Sequence, residues 1–171
     1  MHTFVLSDPS RCIGCRACEI ACVKAHLGDY TGRVTRRQMP FAPRITVVHE
    51  AEVTAPIQCR QCEDAPCVSV CPAGAISHDG EVVRVDESRC FGCKACMAAC
   101  PVGAIQVGRL PGKPDRLLAY KCDLCEDRDG GPACVSVCPA NALKIMDGGE
   151  LQRIAGGRRR HSALQVAFGQ R

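Results

Sequence analysis

The sequence predicts an α+β fold of short antiparallel strand pairs and short helices joined by much loop. Three observations predict it: a cysteine-centred unit that recurs along the 171 residues, a short strand-like run after three of its copies, and too few large apolar side chains for a bigger core. Hydrophobic residues make up 46% and charged ones 23%, the balance of a soluble globular chain. Against sixteen Cys there are no Trp, two Tyr and four Phe. Aromatic rings bury the most area per residue, so side chains alone would build only a modest core and something else must help hold the chain together.

The elements follow in order. Met1 to Ser10 (MHTFVLSDPS) has no basic stretch, no long apolar run and no twin arginine, so no secretory signal is expected and the chain reads as cytoplasmic. No run approaches the length of a membrane span. The cysteines then fall into four groups: Cys12, Cys15, Cys18, Cys22; Cys59, Cys62, Cys67, Cys71; Cys90, Cys93, Cys96, Cys100; and Cys122, Cys125, Cys134, Cys138. The first and third share C-x2-C-x2-C-x3-C, while the second and fourth lengthen the middle gap and keep both ends. Arg44 to His49 and Val53 to Ile57 are strand candidates between the first two groups. A recurring phrase follows the other groups, CPAGAI from Cys71, CPVGAI from Cys100 and CPANAL from Cys138, and leads to strand candidates at Glu81 to Asp86, Ile105 to Val107 and Leu143 to Met146. Helices are expected to be few and short. After Asp147 the composition turns to Gly, Arg and Gln, which reads as a solvated, partly disordered tail or, with Arg158, Arg159 and Arg160, as a segment docking on an acidic surface.

Three Cys within seven residues can turn their sulfurs to one centre, while the fourth leaves the loop in a helical turn and reaches a different one. That is how the run C-x2-C-x2-C-x3-C-P divides its ligands between two iron-sulfur clusters in bacterial ferredoxins, and Cys90 to Pro101 matches the run. Gly14 and Gly92 allow positive φ and a close backbone approach to the inorganic core. Ile13, Phe91 and Leu124 read as apolar lids, and Arg60 with Gln61 as a more polar surrounding for the second group. Zinc sites space two C-x2-C pairs by a longer spacer, which these groups do not, and a disulfide framework belongs to secreted chains. With thiolates as ligands each loaded site carries a charge of about −2, so the formal +4 becomes about −4 and argues against nucleic acid as a partner.

His2, His26, His49, His78 and His161 are scattered and form no metal-spaced pair. No Walker loop, dinucleotide-binding glycine motif or triad signature is present, so no catalytic residue is assigned and substrate chemistry is expected on another chain.

The stretch FVLSDPSRCIGCRACEIACVKAH from Phe4, CRQCEDAPCVSVCPAGAI from Cys59, CFGCKACMAACPVGAI from Cys90 and the CDLC to CPANAL group resemble the four-cluster ferredoxin-type subunits of molybdenum or tungsten oxidoreductases and hydrogenases. The nearest of these are the small iron-sulfur subunits of formate dehydrogenase, formate hydrogenlyase and carbon monoxide dehydrogenase systems. The resemblance covers residues 3 to 146 and leaves out the tail. It implies four 4Fe-4S clusters held by exchanged ligands: Cys12, Cys15, Cys18 with Cys138; Cys122, Cys125, Cys134 with Cys22; Cys59, Cys62, Cys67 with Cys100; and Cys90, Cys93, Cys96 with Cys71. Spacing alone also permits pairing the first group with the second and the third with the fourth. It further implies two bacterial-ferredoxin-like halves, residues 58–107 inserted between 1–57 and 108–149, with 150–171 as the tail. Val23 stands where the other groups have Pro, a departure that leaves the ligand count intact.

The expected role is single-electron relay between a catalytic subunit of formate dehydrogenase or hydrogenase type and a second redox partner. A polyferredoxin diffusing between enzymes is the alternative within the same chemistry, and a zinc-stabilised interaction module is the one outside it.

Overall fold

The computed structural model describes residues 3–26, 41–110 and 113–168; His2 lies outside them. Strand β1 (Phe4–Ser7) enters the first cysteine loop and helix α1 (Ala17–His26) leaves it. Strands β2 (Ile45–Glu50) and β3 (Val53–Gln58) form a hairpin ahead of the second group, which carries α2 (Pro66–Ser69) and then β4 (Ile76–Asp79) and β5 (Val82–Val85). The third group carries α3 (Ala95–Ala99), β6 (Gln106–Leu110) and β7 (Lys113–Tyr120). The fourth carries α4 (Ala133–Val137), β8 (Leu143–Met146) and α5 (Gly148–Phe168).

These strands pair into four two-stranded antiparallel sheets, so the architecture is α+β. β2 pairs with β3, β4 with β5 and β6 with β7, each along a local hairpin. β1 instead pairs with β8, Phe4 opposite Met146, which ties the first cysteine loop to the last. Helix α1 packs on α4 and α2 on α3.

Proline sets the helix lengths. Pro disfavours the helical conformation in the residue before it, and Pro101 and Pro139 leave Cys100 and Cys138 extended, with ψ of 116° and 108°, at the ends of α3 and α4. Val23 imposes no such stop, so α1 runs ten residues straight through Cys22. The expected strand segments are all strands here, whereas β1, β4 and β7 were not evident in the sequence. β4 grows out of the CPAGAI phrase, and β7 opens on Lys113, Pro114, Asp115 and Arg116, residues depleted in strands and tolerated at a sheet edge.

Helices are not uniformly short, because the segment read as a solvated tail is the 21-residue α5. Asp147 starts it: its carboxylate accepts the Glu150 N–H at 2.8 Å and its carbonyl the Leu151 N–H at 3.0 Å. Glu150 at the first turn also pairs with Arg153. From Arg158 to Val166 the helix is exposed.

Two apolar cores lie on opposite faces of β5, as the two-residue period of a strand requires. Val82 belongs to the core with Val5, Ile45, Leu143, Cys22 and Cys134, and Val83 to that with Ile76, Ile105, Leu118, Cys67 and Cys96. Among the described residues neither core contains an aromatic side chain.

Gly92 is the tightest backbone position. Its φ is +73°, and a Cβ there would stand 2.6 Å from the Leu117 carbonyl oxygen. Gly103 has φ of +63° but open space around it. Gly103→Ala is therefore expected to cost about 1–2 kcal/mol for the left-handed conformation. Gly92→Ala adds about 1–3 kcal/mol of overpacking, read as a larger drop in the denaturation midpoint of the iron-loaded protein.

Candidate metal centres

The first and third cysteine loops begin from a turn that the residue order dictates. In the first, Asp8 accepts from the Ser10 N–H at 3.0 Å and the Ser10 hydroxyl at 2.6 Å. In the third, Asp86 accepts from the Ser88 N–H at 2.8 Å and its hydroxyl at 2.6 Å. The repeat D-x-S-R-C-x-G-C, Asp8 to Cys15 and Asp86 to Cys93, is thus one device used twice, and it was legible in the sequence but not singled out. Those hydrogen bonds to Ser hold both carboxyls below the usual Asp range.

Inside the first C-x2-C of each group the residue before the second Cys has positive φ: Gly14 at 69°, Gln61 at 49°, Gly92 at 73° and Leu124 at 61°. Glycine does this freely, whereas Gln61 and Leu124 carry a strain of about 1 kcal/mol or more each. Both are buried, and their packing holds them there.

The cavities show which sulfurs meet. One, with about 330 Å³ of atom-free space, is lined by Cys12, Cys15, Cys18 and Cys138. A second, about 350 Å³, is lined by Cys59, Cys62, Cys67 and Cys100. A third, about 320 Å³, is lined by Cys71, Cys90, Cys93 and Cys96. The remaining four are Cys22, Cys122, Cys125 and Cys134, of which Cys22, Cys122 and Cys134 are buried in one core and Cys125 is half-buried. Each quartet takes three sulfurs from one group and one from another.

Neighbouring sulfurs also order the quartets. Cys18, Cys22, Cys122, Cys134 and Cys59 belong to one core, and Cys67, Cys90 and Cys96 to the other. The Cys59 quartet thus has sulfurs in both cores and stands between the Cys12 and Cys134 quartets on one side and the Cys90 quartet on the other.

Backbone amides point at the sulfurs. Ala75, Ala104 and Ala142 N–H donate to Cys71, Cys100 and Cys138 Sγ at 3.2, 3.3 and 3.3 Å, four residues on in each case. The recurring C-P-x-x-A phrase makes that bond. Cys22 lacks the phrase, and its sulfur accepts instead from the Arg44 N–H at 3.2 Å.

Burial pushes the Cys122 thiol up to about 12 and the Cys18 and Cys67 thiols up to about 11, and raises Cys134 further, with adjacent sulfurs adding to the shift at Cys122, Cys67 and Cys134. A group bound in these cavities must therefore accept four sulfurs, sit within largely apolar walls and carry enough positive charge to keep the thiolates ionised. Iron-sulfur cores have those properties, and all sixteen cysteines are free to hold them.

Around the Cys134 quartet lies a charged cluster that the sequence did not announce. His26 Nδ1 donates to the Cys22 carbonyl at 2.7 Å and Nε2 to Asp123 Oδ1 at 3.1 Å, while Arg44 pairs with the other oxygen of Asp123. Burial alone would lower the His26 pKa, but the bonds to Asp123 and Cys22 outweigh it and raise it to about 10. With two oxygen acceptors the ring is an imidazolium. His26 was expected to be a scattered surface or packing residue; its i, i+4 relation to Cys22 on α1 was the signal.

The lids differ from expectation. Leu124 is buried, but Ile13 is 70% and Phe91 64% exposed. Cys15 and Cys93, beside them, are the two exposed cysteines, whereas the interior quartets have none. Gln61 is also not a polar wall: Arg60 points to solvent, and the Gln61 side chain is fully buried, bonded to the Cys122 carbonyl at 2.8 Å and the Val83 N–H at 3.0 Å.

Comparison with known proteins agrees with this chemistry. Residues 51–148 match the family described as 4Fe-4S dicluster domain, and residues 9–23 match a 4Fe-4S binding domain. The chain is 42% identical to the electron transport protein HydN of Escherichia coli K12, over 96% of this chain and 99% of that protein. It is 34% identical to formate hydrogenlyase subunit 2 of the same organism, over 99% of this chain and 93% of that one. Among solved structures, the active site complex BamBC of benzoyl coenzyme A reductase aligns over 98% of this chain and 91% of its own at 24% identity and a TM-score of 0.45.

Proposed function

Because this chain belongs to the 4Fe-4S dicluster domain family, we propose that it is an electron-transfer protein carrying four 4Fe-4S clusters in a row, with no substrate site of its own. The observation that carries the reading is the set of sixteen free sulfurs gathered four by four. Cys12, Cys15, Cys18 and Cys138 hold the first cluster; Cys22, Cys122, Cys125 and Cys134 the second; Cys59, Cys62, Cys67 and Cys100 the third; Cys71, Cys90, Cys93 and Cys96 the fourth. Such a cluster, when bound, takes up and returns one electron. The protein fixes the ligands with the amide-to-sulfur bonds, keeps water from the two interior sites and leaves one exposed cysteine at each terminal site. Two ferredoxin-like halves, one inserted in the other, account for the pairing of β1 with β8 and of α1 with α4, against the separate packing of α2 with α3.

Two ends call for two partners: a catalytic oxidoreductase subunit of formate dehydrogenase or hydrogenase type and a second electron donor or acceptor. The similarity to formate hydrogenlyase subunit 2 supports the first. Among the described residues no helix is long and apolar enough to cross a membrane, and a chain full of reduced thiols suits the cytoplasm. The exposed Ile13 and Phe91 mark the two docking faces. Ile13→Glu is expected to slow electron exchange at one end by roughly 10-fold, and Phe91→Glu at the other; rates measured with two separate donors distinguish them. Anaerobic purification through a tag on this chain tests the whole reading: roughly sixteen iron atoms per chain and a co-purifying oxidoreductase are expected, and a colourless zinc protein would overturn it.

The resemblance to HydN, named an electron transport protein, favours a second reading, a freely diffusing carrier. Helix α5, exposed and bearing Arg158 to Arg160, separates the two. Deleting residues 150–171 dissolves the complex if the helix docks on an acidic partner and changes nothing if the protein diffuses alone.

A further inference from the structure

Lys121 is 3% exposed, and among the described residues no carboxylate forms an ion pair with it. Its ammonium donates to the Cys122 carbonyl at 2.9 Å and to Gln61 Oε1 at 3.3 Å. Gln61, equally buried, donates its amide to the same carbonyl and accepts from Val83, while its backbone N–H donates to Cys59 Sγ at 3.4 Å. The positive charge is felt at Cys67, where it opposes the upward push of burial and of Cys59. Lys121 therefore touches the backbone of the Cys134 quartet at Cys122 and reaches the Cys59 quartet through the Gln61 side chain, whose own backbone N–H bonds Cys59 Sγ.

A buried ammonium without a counter-ion is costly, and natural interiors keep one only where something negative compensates it. The two interior quartets are that something. A loaded site has a net charge of about −2 and gains one further negative charge on reduction.

We infer that Lys121, fixed by Gln61, is a positioning residue that supplies one positive charge to both interior cluster sites and raises their reduction potentials above what burial alone would set. This rests on the four-cluster reading above. Each interior site takes up one electron and no proton. The consequence is a pair of interior sites that electrons from a terminal site can enter.

The test uses the full-length, anaerobically isolated protein and a potentiometric titration followed by electron paramagnetic resonance. Lys121→Met removes the charge at similar volume. Gln61→Glu cancels it in place at the loss of the amide bond to the Cys122 carbonyl, and Gln61→Met, which loses the same bond without adding a charge, is the structural control. Lys121→Met and Gln61→Glu are expected to move two of the four one-electron steps to more negative potential and leave two unmoved, with a smaller shift in Gln61→Met; equal shifts in Gln61→Glu and Gln61→Met would show a purely structural role. Selective loss of two clusters out of four supports the inference as well, because it shows that those sites cannot hold their charge without the ammonium. Unchanged potentials with full iron, or a shift or loss spread over all four steps, overturns it. A wild-type protein with far fewer than four clusters would instead defeat the underlying reading, before any variant is compared.

Discussion

Chelating the iron from this protein is expected to abolish its cooperative thermal transition and most of its far-ultraviolet circular dichroism. Among the described residues the two cores contain no aromatic side chain, and twelve of the residues within or packed against them are cysteines. The sheets have two strands each, and isolated two-stranded hairpins are marginal in water. Structural metal sites in small domains contribute on the order of 10 kcal/mol each, against a total stability of about 5–15 kcal/mol for a typical domain. In a folded chain without metal, burial would push the Cys18 and Cys67 thiols up to about 11 and Cys122 up to about 12, so at neutral pH they would be neutral and draw nothing together. The β1–β8 pair is the most exposed to this loss, since it joins segments far apart in sequence whose neighbouring loops share a quartet. A native-like cooperative transition in iron-free protein would show that side-chain packing suffices.

Replacing Cys62 with Ala is expected to cut electron flow from one end to the other by about 100-fold or more. Cys62 is half-buried, so the fold should tolerate the change better than loss of Cys134, which stands deep in the interior with three other sulfurs. Its quartet has sulfurs in both cores, so in the proposed row it lies inside and not at an end, and no route passes around it. Iron should fall from roughly sixteen to roughly twelve atoms per chain, while each terminal site remains reducible from its own face. Stopped-flow mixing with a donor at one end and an acceptor at the other reads the difference. An undiminished rate would mean that the quartets do not work in series.

Cysteine spacing made the chemistry legible before any coordinate. C-x2-C and C-x3-C mark which sulfurs leave a loop together, and the glycines at 14 and 92 mark where the backbone turns left-handed. The same turn at Gln61 and Leu124 was hidden, because there tertiary packing and not residue type enforces the positive φ. The helix α5 was hidden for the opposite reason: its Gly and Arg content reads as solvated, and one capping Asp with an ion pair on the first turn was too local a signal.

By itself the sequence determined the four cysteine groups and the iron-sulfur kind of centre they suit, since those depend on residue type and short spacing. Where spacing left two pairings open, the tertiary structure showed which cysteines line one cavity, which of them are buried, and that a lysine is buried beside Cys122. Those are contacts between segments tens of residues apart, and no local spacing encodes a distance that the folded chain alone brings to a few ångströms.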